Sequence, residues 1–245
     1  MNITDFDIGL LALATICTSG FAAVLGQGGG IMLFALLAIY IESPMLIAFH
    51  GFIQLCSNSS RAALATSHIK WQIISPILLG TLAGAIFIIP FIKTVNWNWM
   101  QPIMGSYILY LTWGNRIKLP FHLPNSMFGI GIFQGSLGMA LGATGPLGNA
   151  LLLAKGLGKD ALIASSAVIM SISHFMKVIL FSLLGVSLWH DIGILTLLSI
   201  SAIIGSFIGS KLRGFLPEKT FDILFRLILT ALAMRMIFTQ CLSFN

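Results

Sequence analysis

The chain has 245 residues, of which 57% are of hydrophobic types and only 8% are charged, with a net charge of +6. A soluble domain carries about 25% charged residues, so this composition excludes a water-facing globular surface, and its hydrophobicity excludes a disordered chain. The apolar runs are much longer than the roughly ten residues of a transmembrane β-strand. Because only helices then satisfy the backbone inside lipid, we predict an all-α polytopic membrane protein.

The distribution of charge excludes several classes of function. The 13 lysines and arginines are scattered singly, without the cluster or stripe typical of nucleic-acid binding. Their excess is typical of cytoplasmic loops and also suits attraction of small anions. All 7 carboxylates lie at or near the ends of apolar segments, so we expect no metal site and no cofactor. No nucleophile has a clear histidine partner, and we expect no enzyme activity.

Taken in chain order, the apolar stretches outline about eight segments. They cover residues 8–41, 45–66, 73–92, 99–113, 127–157, 161–184, 192–212 and 221–238. About 20 helical residues cross a bilayer, so six of these stretches suit one crossing each. The first and the fifth are too long for one straight span, and both contain a glycine-rich interruption. We expect each of these two to be a broken or re-entrant helix.

The two interruptions also indicate a repeat. They read Gly26-Gln27-Gly28-Gly29-Gly30 and Gly142-Ala143-Thr144-Gly145-Pro146, and they lie 116 residues apart. At that offset, 12 of the 40 pairs that begin with residues 25–64 are identical, an excess anchored on the glycine motif. We therefore predict two homologous halves of four segments each, residues 1–118 and residues 119–245. If every segment crosses the membrane once, the two halves have the same orientation. If the broken stretch re-enters instead, the number of crossings per half changes and the two halves could be inverted.

A helix that breaks inside lipid frees backbone amides and carbonyls, which is costly unless they line a cavity or bind a ligand. Glycine permits positive φ and close approach of a ligand, and the following half-helix directs its positive end at that ligand. Two such ends near the membrane midplane would bind an anion. The alternative is tight helix packing, which better explains Gly80-x-x-x-Gly84 and Gly205-x-x-x-Gly209.

The second segment carries a polar stripe on one helix face, and the sixth segment has a matching one. The two stripes are His50, Gln54, Ser57, Asn58 and Arg61, and Ser166, Ser173, His174 and Lys177. Such a stripe faces protein or water rather than lipid. We expect His50 and Gln54 to line a cavity, with an interhelical hydrogen bond as the alternative. Arg61 and Lys177 either reach the headgroups by snorkelling or raise the potential at the site and gate it.

The duplicated four-segment pattern, with Gly26 to Ile31 in one half and Gly142 to Leu147 in the other, resembles the TauE/SafE family of sulfite and organosulfonate exporters. The resemblance covers essentially the whole chain. It implies secondary transport, without ATP, of a small sulfur-containing or organic anion such as sulfite or sulfoacetate. It also implies a multi-pass protein of the plasma (bacterial inner) membrane.

The resulting hypothesis is a secondary transporter with alternating access, in which one half rocks against the other. The proposed substrate ligands are Gln27, Gly28, Gly29, Gly30, His50, Gln54, Asn58, Thr144, Gly145, Asn149 and His174, with Arg61 and Lys177 in an electrostatic or gating role. The expected partners are the small anion and the lipid bilayer. Proton coupling, counter-ion exchange and a homodimer stay open, as do uptake instead of export, a passive anion channel and a non-transporting assembly or sensor subunit.

Overall fold

The computed structural model describes residues 4–26, 28–114, 126–142, 156–213 and 218–242, together with residues 145, 149 and 152. These parts of the chain are helical and contain no β-strand. Their α-helices are α1 (Asp5–Leu25), α2 (Gly29–Leu37), α3 (Met45–Leu64), α4 (Trp71–Phe87), α5 (Ile89–Ile92), α6 (Met100–Trp113), α7 (Met127–Leu141), α8 (Lys159–Leu183), α9 (Ile192–Leu212) and α10 (Glu218–Leu242).

Three of the described segments are long and apolar enough to cross a membrane by length and composition: α1, α8 and Trp189–Leu212, which contains α9. The helices α4 and α7 are apolar but shorter. The predicted all-helical class is thus confirmed for the described residues. The number of eight crossings stays a prediction.

Much of the surface is apolar, and the interior contains polar side chains in addition to an apolar core. Large side chains such as Phe6, Leu79 and Phe87 are more than half exposed, whereas His50 and Lys177 are both 1% exposed. Extended apolar surfaces of this kind mark contact with lipid or another protein, and polar groups on membrane helices face the bundle interior. The outer faces of these helices therefore suit lipid, and the interior is the place to look for a site.

Both long apolar stretches are interrupted at their glycine motifs. Helix α1 ends at Leu25, and the next described glycines, Gly26 and Gly28, have φ of 81° and 89°, values that only glycine adopts readily. Helix α2 then begins at Gly29 and is buried at the centre of the bundle. In the second stretch α7 ends before Gly142, which has φ of 78°.

The main helix pairings cross the boundary between the proposed halves. Helix α1 packs along α9, and α4 packs along α7, while α3 packs against α8 and α6 against α10. The 116-residue offset places α1 on α7 and most of α4 on α9. The two closest pairings, α1 with α9 and α7 with α4, are therefore equivalent to each other.

Glycines bring these paired helices into backbone contact. A Cβ atom at Gly80 or Gly84 would lie 2.1 or 2.2 Å from a carbonyl oxygen of α7. At Gly205 or Gly209 it would lie 2.2 Å from a carbonyl oxygen of α1. No side chain fits at such distances, so the packing interpretation of these two glycine pairs is confirmed.

Replacing Gly84 by alanine tests this packing. A Cβ 2.2 Å from the carbonyl oxygen of Ile132 forces α4 and α7 apart, and we expect a loss of about 1–3 kcal/mol of stability, measured as a lower midpoint of thermal unfolding in detergent. Gly193→Ala is the matched control, because a Cβ there meets nothing within 4 Å. Equal midpoints for the two variants would contradict the backbone contact.

Candidate functional site

A cavity of about 40 Å³ lies beside the break between α1 and α2. Its wall is formed by the end of α1, the break itself, the first turn of α2, one face of α3, one face of α8, and Gly145. Eight predicted site residues line it: Gly28, Gly30, His50, Gln54, Asn58, Arg61, Gly145 and His174. Gln27 and Thr144 lie outside the described residues.

Helices α3 and α8 present corresponding positions to the cavity. On α3 the lining residues His50, Gln54 and Asn58 are four residues apart and so share one face. The 116-residue offset pairs them with Ser166, Met170 and His174, the three residues with which α8 lines the cavity. Three equivalent positions of the two helices thus line the cavity, but the side chains at these positions differ.

Asn58 fixes the orientation of Gln54. The Asn58 amide donates to the Gln54 backbone oxygen at 2.7 Å and to Gln54 Oε1 at 3.3 Å. Because Oε1 is occupied, the free end of Gln54 is Nε2, which is buried and has no hydrogen-bond partner among the described residues. The same holds for Arg61 Nε. Buried donors are normally paired, so these two point to a ligand or water in the cavity.

His50 is held by the backbone of α2. Its Nε2 lies 2.8 Å from the Gly30 carbonyl oxygen, which can only accept, so Nε2 carries the hydrogen. Its Nδ1 is buried and unpartnered within the described part of the chain. The ring stands edge-on to Phe34 at 5.1 Å and to His174 at 5.6 Å between centroids. His50 therefore presents an acceptor nitrogen in a fixed position.

The first turn of α2 adds backbone donors to the cavity. Its N-cap, Gly28, has no side chain that could cap the helix, and the first amides of a helix have no partner within it. They also carry the positive end of the helix dipole. Two lining residues, Gly28 and Gly30, place this end of α2 at the cavity.

Arg61 and Lys177 bind helix ends and do not snorkel. Arg61 donates to the Ala22 carbonyl in the last turn of α1 at 3.1 Å and also to the Asn58 side-chain oxygen. Lys177 donates to the carbonyl of Gly142, after α7, at 2.5 Å. Both side chains are buried, at 6% and 1% exposed, so the snorkelling interpretation is wrong. Counting residues along each helix places both side chains near the far membrane interface. In the structure they are enclosed by the ends of the neighbouring helices α1 and α7. Cations are stabilising at helix C-termini.

Asn149 links the two glycine breaks. It does not line the cavity; its amide donates to the carbonyl of Gly26 at 2.7 Å. A Cβ at Gly142 would lie 2.8 Å from the Phe34 ring of α2. The second break therefore lies directly against the first.

Gly29 has a packing role, unlike its neighbour Gly30. A Cβ on Gly29 would lie 1.9 Å from the backbone oxygen of Thr18 in α1. A Cβ on Gly30 would lie 3.2 Å from the Gln54 amide oxygen, at the edge of the cavity. Only Gly30 of this pair lines the cavity.

Five lining residues were not among the predicted substrate ligands: Ala22, Gly26, Ile31, Ser166 and Met170. Of these, the sequence points to Gly26 through the glycine motif and to Ser166 through the polar stripe of the sixth segment. The repeat offset carries the signal for Ser166 and Met170, since they are the counterparts of His50 and Gln54. Ala22 and Ile31 are apolar and give no sequence signal. Within the described ranges, no group of three His, Cys, Asp or Glu side chains could hold a metal ion.

The family model for the sulfite exporter TauE/SafE matches residues 11–236 of the chain. No match was found among curated proteins or among solved structures.

The adjacent glycines Gly29 and Gly30 give a matched pair of variants. Gly29→Ala drives a Cβ into the α1 backbone, and we expect a clear drop in the thermal midpoint. Gly30→Ala places a Cβ 3.2 Å from the Gln54 amide oxygen, which has to shift by only a few tenths of an ångström, so we expect a much smaller drop in the midpoint but weaker stabilisation by a bound anion. The same loss of stability in both variants would contradict the assignment of Gly30 to the cavity.

Proposed function

The chain belongs to the TauE/SafE sulfite exporter family, and we propose that it is a secondary transporter for a small inorganic oxyanion, which binds in the cavity between α3 and α8. The observation that carries this proposal is the set of unpaired, buried donors around the cavity. Gln54 Nε2 and Arg61 Nε are buried without a partner among the described residues, in side chains that line this space next to a broken helix. The first turn of α2, whose amides have no partner within their own helix, borders the same space.

The charges around the cavity favour an anion over a cation. Arg61 lines the cavity, and Lys177 lies behind His174 at 3.4 Å between Nζ and Nδ1. No aspartate or glutamate occurs among the described lining residues. A cation would be repelled by Arg61 and would find no carboxylate among the described lining residues, whereas an anion accepts charge-assisted hydrogen bonds, the stronger kind.

The size of the cavity narrows the class of anion. One buried water needs about 10–15 Å³, so a cavity of about 40 Å³ has room for a few waters or one small ion. That space suits an ion with three oxygens around one centre, such as sulfite. An organosulfonate such as sulfoacetate brings a carboxymethyl group as well, for which the cavity would have to open.

The helix pairings support alternating access by units that combine both halves. Helix α3 packs on α9 in addition to α8, and α8 packs on α4 in addition to α3. One unit then contains α1, α9 and α3, and the other contains α7, α4 and α8. The cavity lies where the two units meet. We propose that these units rock against each other in the plasma (bacterial inner) membrane, in place of a rigid residue 1–118 half moving against the rest.

Gln54→Leu tests the donor set. Loss of a hydrogen bond to a charged group costs about 1.5–3 kcal/mol, so we expect sulfite to bind at least about tenfold more weakly, measured by calorimetry on purified protein. Gln134→Leu is the matched control. Gln134 is an amide 1% exposed whose Nε2 also has no partner among the described residues, but it does not line the cavity. Equal effects of the two variants would remove the site.

Substrate size and transport mode are tested in proteoliposomes. Trapped sulfite should accelerate uptake of labelled sulfite by saturable counterflow, and sulfoacetate should compete much less well, because it exceeds the cavity. Protein-free liposomes give the background. Flux that neither saturates nor shows counterflow would indicate a channel. Protein that neither binds nor moves any of these anions would favour a non-transporting subunit.

A further inference from the structure

The cavity contains one acceptor among its donors. Gln54 Nε2, Arg61 Nε and the α2 amides all offer hydrogens. His50 Nδ1 offers a lone pair, because its other nitrogen donates to Gly30. This nitrogen is buried in a residue 1% exposed and has no partner among the described residues. A fully deprotonated oxyanion has no hydrogen with which to pair it.

The groups that face His50 do not supply that hydrogen. From α8 the facing groups are His174 and Lys177, and Lys177 donates to His174 Nδ1 and to the Gly142 carbonyl. Arg61, on the same helix as His50, donates to Ala22 and Asn58. Helix α2 presents the Phe34 ring. None of the described residues supplies a hydrogen to Nδ1, which leaves the ligand or the solution as its source.

We propose that the oxyanion is bound and carried together with one proton, which lies between an anion oxygen and His50 Nδ1. The proposal rests on the proposed function and names the form in which that site takes its substrate. The proton comes from solution, and only an O–H or N–H bond forms: either hydrogen sulfite donates to neutral His50, or protonated His50 donates to sulfite. In both cases the sulfite dianion and its proton are carried together, with a combined charge of minus one. The proton at His50 therefore determines the charge carried in each transport cycle.

Proton uptake is measured by titrating the detergent-purified full chain with sulfite, at an alkaline pH where bulk sulfite is the dianion. Binding heats in buffers of different ionisation enthalpy should give one proton taken up per anion bound. The Kd should rise about tenfold per pH unit across that range, by linkage. Binding without proton uptake would overturn this inference and leave the transporter proposal standing. Absence of any anion binding would remove both.

Two variants assign the proton to His50. His50→Leu has no acceptor, and we expect sulfite to bind without proton uptake; undiminished uptake would overturn the proposal. Should His50→Leu not fold, as judged by gel filtration, His50→Gln serves, because its amide can still donate to Gly30 while its oxygen cannot be protonated. The probe is then chlorate, a pyramidal three-oxygen anion that stays unprotonated. Chlorate should bind this variant with no proton uptake, and uptake there would place the proton on another group and overturn the assignment.

Discussion

The structure depends on how the backbone is satisfied where two buried helices break. A break inside a bilayer exposes carbonyls on one side and amides on the other, and neither can turn to water. Here side chains bind the carbonyls at the ends of α1 and α7: Arg61 binds Ala22, Asn149 binds Gly26 and Lys177 binds Gly142. The N-cap of α2, Gly28, has no side chain that could cap the amide end of that helix. Within the described residues, side chains thus bind the carbonyl side of the break, and the amide side borders the cavity in which we propose that an anion binds.

The same arrangement explains how two buried cations persist in this interior. Arg61 and Lys177 each sit at the C-terminal end of a helix, where the helix dipole is negative, and each donates to a carbonyl there. Both side chains thus donate hydrogen bonds to protein carbonyls, while their positive charge still acts across the short distance to the cavity. We propose that both cations raise the potential at the cavity, where Gln54 Nε2, Arg61 Nε and the α2 amides are the donors that can contact the ion.

Composition and periodicity predict much of this site, because they report on single helices. The glycine breaks, the stripe from His50 to Arg61 and the packing of Gly80 and Gly84 all follow from chemistry that a helix or a helix pair imposes alone. The environment of Lys177 could not be predicted in this way. Counting along α8 gives the depth of Lys177 in the membrane, but its partner, the carbonyl of Gly142, belongs to another segment. Likewise three consecutive glycines cannot reveal that Gly29 contacts α1 while Gly30 faces the cavity. That difference depends on how α2 folds back against α1.

The helix pairings bear on the motion that we propose for alternating access. Backbone contact at Gly84 and Gly209 leaves no room for α4 to slide on α7 or for α1 to slide on α9, and small-residue contacts of this kind hold membrane helices together. A motion that separated residues 1–118 from residues 119–245 would break both contacts at once. A motion between α3 and α8 breaks neither, because that pairing lies between the two intertwined units. The cavity lies at this α3–α8 boundary, where equivalent positions of the two helices meet, so the bound ion would lie at the centre of the movement and its hydrogen-bond partners would be exchanged by it.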